Sequence, residues 1–172
     1  MSIHSFQNMI RFAPEGNCMW DKYRHESKQT ICIIGVLILS AKLCRADGHF
    51  SEMEEEEILK IVPHETQQKR ILIKILEEAY NDPNPIEHDA KNLKALLEDE
   101  HPEFLEFIIA ALYKLAHTDH IYSEAEDVDI RSVANIFGIT KGFFDQTQET
   151  IKNYFNKATS SLKKEKKGNV NA

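Results

Sequence analysis

Punctuation is scarce in this sequence of 172 residues, which holds six glycines and five prolines. Many short strands need those residues at their turns, so a many-stranded sandwich or barrel is disfavoured and helices are favoured. Cysteine is scarce too. Cys18, Cys32 and Cys44 cannot all pair, and none forms a Cys-x-x-Cys. They read as reduced thiols of a cytoplasmic protein, two of them in the core. Positive charge is in deficit: the formal net charge of −7 argues against a general nucleic-acid surface. No apolar run approaches the ~20 residues that cross a bilayer. The stretch Ile31 to Leu39, with Lys42 and Arg45 close behind, reads as a buried central helix and not as a membrane segment. The first thirty residues carry Glu15, Asp21 and Glu26 and lack a continuous apolar run, so no signal peptide is expected. His-Glu-x-x-His, Gly-x-Ser-x-Gly and a glycine-rich phosphate loop are also missing, which removes three common enzyme signatures.

What is present is a repeat. Ala46-Asp47-Gly48-His49-Phe50-Ser51-Glu52-Met53-Glu54 returns as Thr118-Asp119-His120-Ile121-Tyr122-Ser123-Glu124-Ala125-Glu126, at a constant offset of 72 residues. The Asp, the aromatic, the Ser and two Glu positions coincide. In each copy an apolar helix arrives (Ile33 to Leu43, then Phe107 to Leu115), stops near the Asp, and a Ser starts the next helix. Ser51 with Glu54, and Ser123 with Glu126, form the Ser-x-x-Glu capping box. The box draws each Glu carboxylate back toward the loop that holds its Asp. Two readings stay open at this point: pure helix capping, since acidic residues suit a first turn, or a divalent cation held by Asp and Glu oxygens. An EF-hand is excluded by spacing. Counting from Asp47, the required Gly falls on Glu52 and the final Glu on Ile58; copy two fails at Glu124 and Ile130. Calcium takes about six to eight oxygens, so a site needs backbone carbonyls, water, or both copies together. His49, His117 and His120 flank the loops; as ligands they would favour zinc or another transition metal, and the plainer reading leaves them exposed.

Three segments are expected: an N-terminal arm or docking helix over 1–27, a helical domain over 28–160, and a basic, frayed tail over 161–172. Phe6, Met9, Ile10, Phe12, Met19, Trp20 and Tyr23 give the arm its apolar side chains. Helix one spans Lys28 to Arg45 and is apolar nearly all round, which places it at the centre. Helix two follows Ser51 and ends at Pro63, with Met53, Ile58, Ile61 and Val62 inside. Helix three runs from His64 to Asn81 with Ile71, Leu72, Ile75, Leu76 and Ala79 at helical spacing. Asp82-Pro83-Asn84-Pro85 is a turn. Helix four covers Ile86 to Glu98 and is buried through Ala90, Leu93, Leu96 and Leu97. Helix five opens at His101-Pro102. Helix six follows Ser123, with Val128, Ile130, Val133, Ala134, Ile136 and Phe137 as its apolar set and Gly138 as its C-cap. Thr140 caps helix seven, which carries Phe143, Phe144, Ile151, Tyr154 and Phe155. The lysines at 163–167 suit a helix C-terminus better than a lipid or nucleic-acid patch.

The stretch Ile34 to Gly48 resembles the first repeat of TerB-like domains, and in particular the domain that precedes the J-domain in DjlA-type DnaJ proteins. Leu112 to Asp119, with Glu126 and Val133-Ala134-Asn135-Ile136-Phe137-Gly138, resembles the second repeat. The likeness covers roughly residues 30–145. It implies an all-α, TerB-like bundle of about seven helices with an internal two-fold helix–loop–helix repeat. It also implies a generally non-enzymatic module tied to tellurite resistance and stress responses. The family's ion site falls here on Asp47, Glu54, Asp119 and Glu126, with calcium or a similar divalent cation as cofactor. The expected partner is a protein, chaperone machinery or a second copy of the chain. His120 stands where the family places a glycine, which alters the loop of copy two. No J-domain is recognisable after residue 145, so stimulation of a chaperone ATPase is not implied. The competing readings are a carboxylate and histidine metal-dependent hydrolase, and a helical scaffold that holds no ion.

Overall fold

A computed structural model of the chain describes residues 19–46, 52–97, 102–118, 124–139, 151 and 153–160. A 3-10 turn over Met19–Tyr23 leads into α1, Lys28–Ala46, followed by α2, Glu52–Ile61. A second 3-10 turn, Thr66–Gln68, opens into α3, Lys69–Asn81. Then come α4, Ile86–Leu97; α5, Pro102–Thr118; and α6, Glu124–Phe137. A last helical stretch, 153–160, is α7. The architecture is all-α, without a strand among the described residues. No helix among them is long and apolar enough to cross a membrane.

The central position of α1 follows from its composition. From Thr30 to Cys44 every residue is buried, and α3, α4, α5 and α6 all pack against it. Ser27 starts the helix: its Oγ accepts from the Thr30 backbone N–H at 3.2 Å and donates to Thr30 Oγ1 at 2.9 Å. Gly35 lets α4 approach closely. A Cβ there would lie 2.5 Å from Leu93 Cδ2, so only a missing side chain makes room. Cys32 and Cys44 are buried, as expected; burial pushes the Cys32 thiol well up, away from thiolate chemistry.

The repeat becomes geometry. α2 begins at Glu52 and α6 at Glu124, keeping the 72-residue offset of the sequence. Packing is reciprocal: α2 of the first copy lies on α5 of the second, and α6 of the second lies on α1 of the first.

Three expectations need correction. α3 begins at Lys69 and not at His64, because the Gln68 side chain folds back to accept the Glu65 backbone N–H at 3.0 Å and tightens residues 66–68 into a 3-10 turn. Val128 is 62% exposed. The buried stripe of α6 is Glu126, Ile130, Val133 and Phe137, and Val128 lies two residues from Ile130, on the far side of the helix. Leu96 is half-buried, at the margin of the α4 stripe. Two further expectations hold: α4 ends at Leu97 within a residue of the expected stop, and Gly138 takes a positive φ of 72° to close α6. The 3-10 turn at 19–23 docks on the bundle through Met19, Trp20 and Tyr23. The start of helix seven at Thr140, the first 18 residues and the tail 161–172 lie outside the described residues.

Candidate metal centre

Each expected acidic pair has one member at a described helix start, and the two starts are equivalent in the repeat. In the first, Glu54 lies in the first turn of α2, and Asp47 lies outside the described residues. In the second, Glu126 lies in the first turn of α6, and Asp119 lies outside the described residues. His49 and His120 fall outside them as well.

Glu126 is 7% exposed, an unusual state for a carboxylate. Its place on the α6 stripe, four residues before Ile130, puts it on the core side of the helix. There the helix N-terminus, with its partial positive charge, favours an anion. Asp127, next to it, is turned toward Arg131 one turn on, at 2.7 Å. Burial pushes the Tyr113 phenol up, and the nearby Asp127 charge pushes it further. The exposed His117 holds its Nδ1 at 2.7 Å from the Tyr113 carbonyl, so that nitrogen carries the ring proton. In the first copy, Glu57 pairs with Lys60 at 3.0 Å and raises the lysine's pKa through that hydrogen bond and its charge. Glu56 is exposed. The charge run after Ser51 is thus partly a solvated face.

Among the described residues, no three His, Cys, Asp or Glu side chains gather in a metal-ligand group. A cation site therefore requires the loop aspartates. The donor type fits a hard ion: carboxylate oxygens, one of them on a desolvated side chain at a helix start.

A second polar cluster was not anticipated from the sequence. Lys42 is 2% exposed in the middle of the core. Its ammonium pairs with Asp82, lies 2.7 Å from Asp89 Oδ2, and donates to the Asn84 carbonyl at 2.6 Å. Asp89 is 1% exposed and accepts from Trp20 Nε1 through Oδ1 at 2.9 Å. Its Oδ2 faces Lys42 off the hydrogen-bond direction, so that contact is an ion pair. Arg45, one turn beyond Lys42, donates to the Asp82 carbonyl and to the Asn84 carbonyl, the latter at 3.0 Å. Asp82 and Asn84 each precede a proline, which holds them extended with their carbonyls available. Two cations here meet two aspartates, so the cluster is balanced. It fastens the 82–85 turn, α4 and the Trp20 turn to α1, a structural task. One signal was available in the sequence: Asp89 falls between Ile86 and Leu93, on the face of α4 that Ala90 and Leu97 share.

A family model describing tellurite resistance protein TerB matches residues 34–149, well over half of the chain. No curated protein and no solved structure matches it.

Proposed function

The chain belongs to the tellurite resistance protein TerB family, and from that premise we propose that it is a non-enzymatic module that binds a divalent cation, calcium or one like it. Asp47, Glu54, Asp119 and Glu126 would hold the ion. The observation that supports the reading is the equivalence of the two helix starts: α2 and α6 begin at matching positions and pack reciprocally on α5 and α1. Buried Glu126 supports it, because a desolvated carboxylate gains from a nearby cation. The ion would neutralise acidic side chains that otherwise repel one another, and so would lock the two hairpins together. Its role is structural and regulatory, with no step of catalysis assigned to it. The locked form then presents an acidic face to a protein partner in the cytoplasm. The resemblance of the first repeat to the domain preceding the J-domain in DjlA-type proteins favours chaperone machinery as that partner, in a stress response.

Calcium at about a hundred times its dissociation constant should raise Tm by roughly 5–10 °C, from ~2.7 kcal/mol of linkage and ~2–4 °C per kcal/mol. The double variant Asp47→Asn, Asp119→Asn should lose the shift and keep its far-UV circular dichroism. If calcium, magnesium, manganese and zinc all leave the Tm of the wild-type protein unchanged, the ion site is refuted and a helical scaffold remains.

A further inference from the structure

The buried cluster around Lys42 holds more than a balanced set of charges. Lys42 on α1 and Asp89 on α4 are both buried, and their charged ends meet at 2.7 Å. Such a pair is one water molecule away from an amide. Ammonium and carboxylate carry between them every atom of the amide bond and of the water it would release. In free solution two obstacles suppress that condensation: the groups must find one another, and water reverses the step. The fold removes both. It holds the two groups in contact, in a place that bulk water does not enter.

The neighbours supply the remaining parts. Trp20 Nε1 donates to Asp89 Oδ1 at 2.9 Å, the oxygen on which negative charge grows when the carboxyl carbon turns tetrahedral. Asp89 Oδ2 has no hydrogen-bond partner among the described residues, so no such bond holds it back as a leaving oxygen. Asp82 accepts a hydrogen bond from Lys42 Nζ and so stands where a proton carrier must. The Asp82 side chain is 18% exposed, which sets it at the solvent edge of the cluster, where a released water can leave. The Asn84 carbonyl, 2.6 Å from Nζ, steadies the nitrogen from a third direction.

We propose that Lys42 and Asp89 condense in the folded chain to an intramolecular isopeptide bond, a covalent staple between α1 and α4. One ammonium proton crosses to Asp89 Oδ2, which leaves a neutral amine beside a neutral carboxyl group. The Nζ lone pair adds to Cγ, and the negative charge settles on Oδ1 against the Trp20 N–H. Asp82 takes a second proton from Nζ and passes it to Oδ2. The Cγ–Oδ2 bond breaks and water departs. Nζ keeps its third hydrogen as the amide N–H, which donates to Asp82, and Oδ1 becomes the carbonyl oxygen, still accepting from Trp20. No oxidant, cofactor or activated donor is consumed. Two buried charges become one hydrogen-bonded amide, which removes their desolvation cost; Asp82 and Arg45 remain as opposite charges. Until the bond closes, Lys42 is an amine that only unfolding exposes. The candidate cation site shares no residue with this one.

Peptide mass spectrometry of the wild-type chain, held folded for days and sampled over time, tests the proposal. Trypsin should release residues 29–45 joined to residues 75–91, lighter than the two free peptides by one water. Fragmentation should place the bond on Asp89 and not on Asp82, which lies in the same peptide. The linked peptide decides, because a cyclic imide at Asp47-Gly48 would remove the same mass from the intact chain. A chain kept in guanidinium should form the bond at least about a hundredfold more slowly, since nothing then holds the groups together. Asp82→Asn, close in shape and a poor proton carrier, should slow formation at least about tenfold. Trp20→Phe, which lacks the N–H, should slow it by at least about the same factor. Circular dichroism reports whether these variants are folded, and the wild-type result stands without them. Peptides 29–45 and 75–91 that stay unlinked throughout the incubation of the folded wild type overturn the proposal. So do linkage at an equal pace in guanidinium, a bond located on Asp82, and an unchanged rate in both folded variants.

Discussion

Asp129 shows how one half-buried side chain on α6 sets a pH dependence. Burial pushes its carboxyl up, and the Glu87 charge on α4 pushes it further, while Arg45 on α1 pulls it back. Ser132 donates to Glu87 at 3.1 Å, which fixes that carboxylate on the α4–α6 seam. A carboxyl whose pKa is raised by folding favours the folded state while it is protonated. That contribution is complete below the ordinary value of about 3.9, and is lost as pH rises through the raised value. Asp129→Asn should therefore stabilise the fold at pH 7 and raise Tm, the gain in stability being less than about 1 kcal/mol once solvent screening is allowed for. At a pH near ~3.5, below the usual carboxylate value, wild type and variant should melt together. A gain of equal size at both pH values would show that packing, and not titration, is responsible.

The elements reward the same treatment. Gly35 and Leu93 set the distance between α1 and α4, and Leu93 is fully buried. Gly35→Ala should lower stability by about 1 kcal/mol in chemical denaturation: overpacking costs ~1–3 kcal/mol, and the better helix former returns a part. Leu93→Ala removes the obstructing branches, so the double variant should be destabilised by less than the sum of the two single changes. At this scale much was legible in the sequence. Ser-x-x-Glu gave both α2 and α6 their starting points, and Gly138 gave α6 its end, because caps act within one turn. The buried stripe of α6 was read too broadly at Val128, where composition was weighed without the 100° step between residues. The start of α3 was missed because a glutamine side chain, Gln68, substitutes for a helical hydrogen bond and tightens the turn. Lys42 was missed for a different reason. Its partners lie 40 and 47 residues away, on a turn and another helix, and no periodicity carries information over that span. Of the candidate ion site, the sequence supplied the residues and the repeat; the fold added the equivalence of the helix starts and the burial of Glu126.

For the molecule as a whole, the core is continuous from the Met19–Tyr23 turn to Ala158. The sole tryptophan, Trp20, belongs to that core, edge-on to Tyr23 at 6.3 Å and bonded to Asp89 on α4. Lys22 pairs with Glu78 on α3 beside it. The turn is thus tied to two helices and should unfold with them. Melts followed by Trp20 fluorescence and by far-UV circular dichroism should coincide, the behaviour of a single cooperative unit. A fluorescence transition at lower temperature would instead mark this segment as a separately melting piece.

The burial of Lys42 has a chemical corollary. Its amine is sealed from solvent, with none of the side chain exposed. A water-borne acylating reagent will modify the surface lysines freely and reach this one when the bundle comes apart. Lys42 is therefore a built-in clock: the pace at which it gathers label is the pace at which the folded chain opens.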